Sequence, residues 1–274
     1  PGPADGRLQV AVLLPVFAPM HDASHPARRG EYERQARDGL ALAKRHGLGL
    51  TQDGHRAGTV ALARELGLLG PRAYLSHSID LTEADIEALL ATGASVVHNP
   101  AALMSVRGRC PAPELIARGV NVALGSDGGA ARRGYDMFRH MAQCMHYHRR
   151  HFRDVDVLPH GKVLEMCTID AARALGLADQ VGSLEAGKKA DIILVDLFKP
   201  HLMPLNMPVM RIASFANAAD VDTTIVDGRV LMQGRRLLAV DETPILGAGQ
   251  AACGRQLGRG GLRHLTNGPP HPWR

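Results

Sequence analysis

The sequence has few cysteines, few aromatic residues and no long apolar run within its 274 residues. Its four cysteines, Cys110, Cys144, Cys167 and Cys253, are scattered and form no Cys-x-x-Cys pair. This scatter argues against a disulfide framework and against a zinc site made of cysteines alone. We therefore expect four reduced thiols.

No apolar run approaches the roughly 18 to 20 residues that a membrane-spanning helix requires. The opening residues, PGPADG, also lack the basic and then apolar pattern of a secretion signal. The sequence therefore predicts a cytoplasmic protein that does not enter a membrane.

Acidic residues are the minority charge, with 27 Asp and Glu against 32 Lys and Arg. Much of the basic excess lies in the helix-like stretch MAQCMHYHRRHFR and in the tail. Aromatic residues make up only 4% of the chain, too few for the stacking platform that binds single-stranded nucleic acid. We interpret the basic residues as a solvated helix face and expect no nucleic-acid partner.

Short apolar runs alternate with helical patterns from the start to about residue 197. The strand-like runs are LQVAVLL, LGL, AYLSH, ASVVH and NVALG. Thr82, with Asp85 three residues later, is typical of a capping box that begins one of the intervening helices. Strands that alternate with helices predict βαβ units and therefore an α/β fold with a parallel sheet.

Polar residues stand where several of these strands end. In VALGSDGGA an apolar strand runs directly into Asp127, and His77 and His98 each close a strand of their own. Carboxyl ends of parallel strands meet at the face where α/β barrels bind ligands. Two histidines and an aspartate there are ligands that suit a divalent metal such as zinc, whose bound water ionises near neutral pH. The pattern predicts hydrolytic chemistry.

The pattern changes after a long predicted helix, Tyr135 to about Phe152, and a second helical stretch, Gly161 to Leu175. GSLEAGKKAD is rich in turn residues, IILV reads as a strand, and TTIVDGRVLM reads as a hairpin with a tight Asp-Gly turn. From about Leu246 the chain is rich in Gly, Arg and Pro and contains no acidic residue. We predict a barrel portion over 1–181, a small β appendage over 182–240 and a surface tail over 241–274.

A family resemblance emerges from the motifs SHSIDLTEADIEALLATGASVVHNP, LGSDG, MCTIDAARALGL, VGSLEAGKKADIILVD and TTIVDGRVL in that order. The sequence resembles the second half of metal-dependent amidohydrolases, in particular the branch that deaminates or dechlorinates nitrogen heterocycles. The resemblance implies a partial or diverged (β/α)8 TIM-type barrel, corresponding to about strands four to eight, with a small β-sandwich appendage. It also implies hydrolysis of a non-peptide carbon-nitrogen bond in a small heterocyclic substrate.

The resemblance assigns roles to individual residues. His77 corresponds to the histidine after strand six, which binds metal or orients the water and substrate. Asp127 corresponds to the strand-eight aspartate, a metal ligand that also takes a proton from the water. His98 and Asn99 match the strand-seven motif, for which a substrate-orienting role and a structural role both remain open. The implied cofactor is one divalent metal, with zinc preferred and iron as the other candidate.

Two parts of the family pattern are missing. The His-x-His motif at the end of strand one has no counterpart, and the strand-five histidine is replaced by Leu50 or Thr51. Asp53 is a candidate for the acid that often follows that histidine, and His55 could reach the site to bind substrate. Neither residue restores the ligand count, so the occupancy of the metal site stays open. A catalytically incomplete fragment or pseudoenzyme of the same fold is the alternative function.

Five barrel-type strands are recognisable, whereas closure of this barrel requires eight. An open sheet exposes unpaired edges and an apolar face. We therefore expect a homo-oligomer or an N-terminal segment to cover them.

A second group of candidate metal ligands lies on one helical face: His140, Cys144, His148 and His151. Packing of a helix outside the barrel is the preferred interpretation of this stripe.

Overall fold

The structure is a computed structural model that describes residues 8–15, 26–102, 108–128 and 134–267. The strands are β1 (Ala11–Leu14), β2 (Gly49–Gln52), β3 (Ala73–Ser76), β4 (Ser95–His98), β5 (Val122–Leu124), β6 (Ile192–Val195), β7 (Val221–Val226), β8 (Arg229–Gln233) and β9 (Arg236–Leu237). The α-helices are α1 (Pro26–His46), α2 (Thr59–Glu65), α3 (Glu83–Thr92), α4 (Ala112–Ala117), α5 (Met137–Phe152), α6 (His160–Cys167), α7 (Ile169–Ala174), α8 (Pro208–Phe215) and α9 (Glu242–Arg259). Short 3-10 helices cover Ala218–Asp220 and Arg263–Asn267.

The first five strands form a parallel sheet in chain order, β1-β2-β3-β4-β5. Helices occupy the connections between them, as the alternating pattern predicts. This order and strand direction confirm the α/β fold and the five barrel-type strands recognised in the sequence. Because the strands are parallel, the residues that follow β2, β3, β4 and β5 all emerge at the same edge of the sheet.

The two faces of the parallel sheet differ in character. Leu75 is paired in register with Val96, and Val96 with Val122, and all three belong to the buried core beneath the helices. The other face carries Thr51 and Tyr74, which are also in register. Side chains alternate between faces along a strand. Each residue near the carboxyl edge is therefore assigned to the helix-packed face or to the opposite face by its position in the strand.

Asp85 joins two helices at their N-termini. Thr82 and Asp85 form the predicted capping box of α3. The Asp85 carboxylate also accepts hydrogen bonds from the backbone N–H groups of Gly58, Val60 and Ala61 around the start of α2. Burial favours the neutral carboxyl group, but these donors outweigh it and lower the pKa of Asp85. This one carboxylate thus satisfies donors that helix geometry leaves without partners.

The predicted β appendage is a four-stranded antiparallel sheet in the order β6-β7-β8-β9. Its β7–β8 hairpin turns at Asp227 and Gly228, which both have positive φ, as the tight Asp-Gly turn of a hairpin requires. Asp136 connects this region to the barrel portion, since its carboxylate caps α5 and also accepts from the Ala218 N–H at 3.0 Å.

The segment after the antiparallel sheet forms α9, in which no residue is buried. Its apolar residues Ile245 and Leu246 are more than half exposed. None of the helices in the described ranges is both long enough and apolar enough to cross a membrane.

We predict that Asp85→Asn lowers the free energy of unfolding by about 2 kcal/mol, because several charge-assisted hydrogen bonds are weakened at a buried position. Urea denaturation followed by circular dichroism measures the change. Asp38→Asn, an exposed acid on α1, is the control and should leave stability unchanged. Equal effects of the two substitutions would contradict the role given to Asp85.

Candidate active site

His77 is the central side chain at the carboxyl edge of the parallel sheet. It follows β3 directly and is only 5% exposed. Its backbone N–H donates to the Val97 carbonyl of β4 at 3.0 Å, and its φ of +66° turns the chain out of the strand. The ring is therefore held by the neighbouring strand at the place where β3 ends.

Two carboxylates approach the same nitrogen of this ring. Asp53 Oδ1 lies 3.0 Å from His77 Nε2, and Asp127 Oδ2 lies 3.5 Å from it. Asp53 follows β2, whereas Asp127 comes after β5. The structure thus brings together the three residues predicted to be catalytic, from three different strand ends.

Asn99 supports the other side of the imidazole. Its Nδ2 donates to Ser76 Oγ at 2.8 Å and lies 3.4 Å from His77 Nδ1. A donor at Nδ1 leaves the ring hydrogen on Nε2, which then donates to Asp53. The amide and the carboxylate together set the tautomer and orientation of His77.

Gly125 allows Asn99 to occupy this position. A Cβ on Gly125 would overlap Asn99 Oδ1 and would lie 2.8 Å from Val97 Cγ1. The backbone N–H of Gly125 donates to the His98 carbonyl at 2.9 Å, which continues the pairing of β4 and β5. A side chain at 125 would therefore displace the amide that positions His77.

The electrostatics of the pair favour a charged Asp53. The hydrogen bond from His77 is the main cause that lowers the pKa of Asp53 below its ordinary value of 3.8, against the opposing effect of burial. Asp53 is consequently a carboxylate at neutral pH. It is 52% exposed, so water screens its interaction with the ring.

Left-handed backbone conformations mark this edge of the sheet. Non-glycine residues with φ above +50° include His77, Ser78, Asp80 and Asp127. Such conformations cost free energy and persist where surrounding contacts over-determine them, commonly at functional sites. Two of the four are the residues predicted to bind metal.

The remaining predicted site residues point elsewhere. His98 is on the helix-packed face, where its Nε2 lies 3.3 Å from His148 Nε2 of α5. His55 is buried beside α2, with Nδ1 at 2.9 Å from Thr59 Oγ1, and burial lowers its pKa to about 4. Of the three predicted substrate-binding residues, the structure places Asn99 alone within hydrogen-bonding distance of the His77 ring.

The family has a histidine after its fifth strand, which corresponds to β2 here. Strand alternation decides whether Leu50 or Thr51 stands at that position. Thr51 is in β2 and precedes Asp53 by two residues, so continuing the alternation past the end of the strand puts both on the same face. Leu50 points the other way and belongs to the apolar core. Thr51 therefore stands beside the site, and its hydroxyl group is hydrogen-bonded with Tyr74.

Comparison with known proteins identifies the family. An amidohydrolase family model matches residues 41–231. The chain is 40% identical over 188 residues to a 5-methylthioadenosine/S-adenosylhomocysteine deaminase of Syntrophobacter fumaroxidans, which covers 68% of this chain and 43% of the relative. This chain belongs to the amidohydrolase family. A 5'-deoxyadenosine deaminase of Methanosarcina mazei is 37% identical over 202 residues, covering 73% of this chain and 46% of that one.

Solved amidohydrolase structures have the same fold. A zinc-bound adenosine deaminase from Xanthomonas campestris aligns with a TM-score of 0.78 at 25% identity, covering 90% of this chain and 65% of that chain. The atrazine chlorohydrolase TrzN from Arthrobacter aurescens, in complex with zinc and atraton, aligns with a TM-score of 0.73 at 20% identity, over 80% of this chain and 51% of that chain. The chain thus spans less than half the length of the curated relatives and about half to two thirds of the solved ones.

The donor set around His77 fits a divalent metal. One imidazole nitrogen and two carboxylate oxygens converge, and these are ordinary zinc and iron ligands. Ligation through His77 Nε2 would place the ring hydrogen on Nδ1, so the Asn99 amide would turn to accept it. The residues present can therefore hold a metal after a local exchange of hydrogen-bonding roles.

Sequence reasoning missed Ser76 and Gly125 as parts of the site. Both lie next to predicted residues, and their contribution is to hold Asn99 in place. Register analysis of the strands could have placed Ser76 on the same face as Asp53, because alternate residues of paired strands share a face. The close approach of Gly125 to Asn99 has no local sequence signal.

We predict that Gly125→Ala lowers the free energy of unfolding by about 1–3 kcal/mol, because the new methyl group overlaps Asn99 and Val97 in a packed region. Thermal and urea unfolding measure the loss. Gly128→Ala is the matched control, since a Cβ there meets nothing within 4 Å. A stable Gly125→Ala variant with an unchanged transition would show that Asn99 is not confined as described.

We predict a pH-dependent contribution from Asp53. Its pKa is lowered in the folded state, so the ionised carboxylate stabilises the protein above about pH 4 and that stabilisation disappears as the pH falls. The stability difference between wild type and Asp53→Asn, measured with a chelator present, should shrink from pH 7 towards about pH 3. A difference that grows on acidification would contradict the proposed hydrogen bond between His77 and Asp53.

Proposed function

We propose that this chain carries the catalytic Asp and His of a zinc-dependent amidohydrolase that deaminates a 5'-modified adenosine. The observation that carries the proposal is the position of His77 Nε2 between Asp53 at 3.0 Å and Asp127 at 3.5 Å. The curated relatives named above narrow the substrate class, since both are named as deaminases of adenosine derivatives.

The reaction exchanges an amino group for oxygen on a purine ring. Water adds at C6 of the adenine, the bond from C6 to the exocyclic nitrogen breaks, and ammonia leaves as the ring becomes a hypoxanthine. A base must take one proton from the attacking water, and an acid must supply one to the departing nitrogen. A single carboxyl group can perform both transfers in sequence.

Asp127 is the residue proposed to move that proton. Its Oδ2 faces His77, and its side chain is 20% exposed, so a water molecule can reach the carboxylate while most of it is enclosed. The left-handed backbone at Asp127 directs the side chain towards the edge of the sheet. Zinc, when bound, would lower the pKa of a water molecule and polarise the ring.

His77 and Asp53 are proposed to hold the site in its reactive arrangement. His77 would bind the metal or donate a hydrogen bond to the water and substrate, and Asp53 would keep its ring oriented. Asn99 is proposed to contact the heterocycle. His55 is buried beside α2, with Nδ1 at 2.9 Å from Thr59 Oγ1, so no direct substrate contact is proposed for it. His98 faces α5, so any influence it has on the substrate would pass through the adjacent Asn99.

We further propose that the enzyme is cytoplasmic and that its parallel sheet is covered by more polypeptide. All four cysteines are free thiols, and two of them are buried, which fits a reducing compartment.

β1 lies at one end of the sheet order, and Leu13 in it is 67% exposed. A second copy or an N-terminal segment that paired with β1 would bury this residue and complete the edge.

The test is ammonia release by the zinc-loaded full chain from adenosine, 5'-deoxyadenosine, methylthioadenosine and S-adenosylhomocysteine. We expect the product to be the corresponding nucleoside with hypoxanthine as its base. Asp127→Asn should reduce kcat/KM by about 10²-fold to 10⁴-fold through loss of proton transfer. Asp38→Asn on the exposed face of α1 should be as active as wild type.

The proposal for this chain would be overturned if the folded, zinc-loaded chain released ammonia from none of the four compounds. That result would favour the alternative of a catalytically incomplete polypeptide. The lack of a His-x-His motif in this sequence motivates this alternative, as does Thr51 at the place where the family resemblance implies a histidine ligand. Substitution Thr51→His would then be expected to increase zinc affinity.

A further inference from the structure

A buried cluster of two imidazoles and one thiol lies on the helix-packed face of the parallel sheet. His98 comes from the end of β4, and Cys144 and His148 come from α5. Their potential ligand atoms all lie within 4.8 Å of one another, and each residue is at most 1% exposed. We propose that His98, Cys144 and His148 form a second metal site, a structural site for zinc that is distinct from the site around His77.

Helix geometry brings two of these ligands together. Cys144 and His148 are four residues apart in α5, so both side chains are on the same face of the helix. That face is directed at β4, where His98 shares a side of the sheet with Val96 and not with Asn99. The stripe singled out in the sequence also contains His140 and His151. In the structure, His140 Nε2 is instead 2.8 Å from the Gly134 carbonyl oxygen, and His151 is exposed.

The separation of the two nitrogens matches a shared metal ion. His98 Nε2 and His148 Nε2 are 3.3 Å apart. Two nitrogens that each bind a zinc ion at about 2.0–2.1 Å in tetrahedral geometry lie about 3.3 Å apart. The Cys144 sulfur lies within 4.8 Å of a ring nitrogen of each histidine, so the three side chains together could supply three of the four positions of a zinc ion.

The donor chemistry also fits zinc. A thiolate with two imidazoles is a borderline-soft set that zinc prefers over magnesium or calcium. Both rings are buried, and a neutral imidazole offers one nitrogen lone pair to a cation.

The charge around the cluster permits a cation. Arg109 is a cation that acts electrostatically on both histidines. Its guanidinium is engaged by the Glu114 carboxylate, with Nη1 3.0 Å from Oε2. This ion pair offsets the charge of the arginine. A dication bound by one thiolate would then leave a single net positive charge in the cluster.

A metal at this position would stabilise the active-site edge indirectly. It would fasten the end of β4 to α5. Asn99, the next residue, positions Ser76 and His77 by hydrogen bonds. A simple hydrogen bond between the two rings is the competing explanation of the 3.3 Å contact, and it requires no thiolate.

Cobalt titration of the chelator-treated full chain under reducing conditions separates the two explanations. We expect a near-ultraviolet thiolate-to-cobalt charge-transfer band that saturates within two equivalents, because the site around His77 can also take cobalt, and a rise in Tm. Cys144→Ser should abolish the band. Cys167→Ser and Asp127→Asn should retain it, because Cys167 lies outside the cluster and Asp127 belongs to the other site.

Absence of the band in folded wild type, or its survival in Cys144→Ser, would overturn the proposal. If Cys144→Ser does not fold, X-ray absorption of zinc-loaded wild type decides the question. A sulfur neighbour at about 2.3 Å is expected, and a shell of nitrogen and oxygen alone would overturn the site. A chain that releases ammonia but shows no thiolate-to-cobalt band would overturn the second metal site and leave the proposed deaminase function intact. The failures of the two proposals are therefore distinguishable.

Discussion

The in-register pairing of parallel strands is the constraint on which the rest of this structure depends. Leu75 pairs with Val96 and Val96 with Val122, so β3, β4 and β5 end almost level. Parallel strands present their next residues on one edge, and alternation decides which face each side chain takes. Alternation places Ser76 and Asn99 on one face of the sheet, and the left-handed φ of His77 turns its ring out of the strand to join them.

The site is assembled at a cost in backbone conformation. His77 and Asp127 both have left-handed φ values, which L-residues adopt only when other contacts compensate. For His77 the compensation includes the Val97 hydrogen bond, the contact with Asn99 and the carboxylate of Asp53. Gly125 packs closely against Asn99, and a Cβ at this position would overlap the amide. The local strain is therefore distributed over β3, β4 and β5.

The side chains of His98 and Asn99, although adjacent in the sequence, lie in two different chemical environments. Asn99 faces the partly exposed edge of the sheet, where the nearby metal-binding atoms are carboxylate oxygens. His98 faces the buried layer between the sheet and α5, where the nearby metal-binding atoms are the sulfur of Cys144 and a nitrogen of His148. Low solvent access strengthens electrostatic interactions in the second environment and excludes exchange with water. His98 at the end of β4 and Asn99 directly after it thus lie between the candidate active site and the cluster that faces α5.

The sequence by itself determined the strand and helix alternation, the capping box at Thr82, the Asp-Gly hairpin and the family. These depend on local periodicity, on turn chemistry and on ordered motifs, all of which are visible along the chain. Tertiary structure alone decided that Thr51 and not Leu50 faces the site, that Asp53 reaches His77, and that His98 joins Cys144 and His148. Those outcomes depend on strand register and on helix rotation against the sheet, which bring together residues about 25 to 50 positions apart. No periodicity within one segment encodes a distance between two segments.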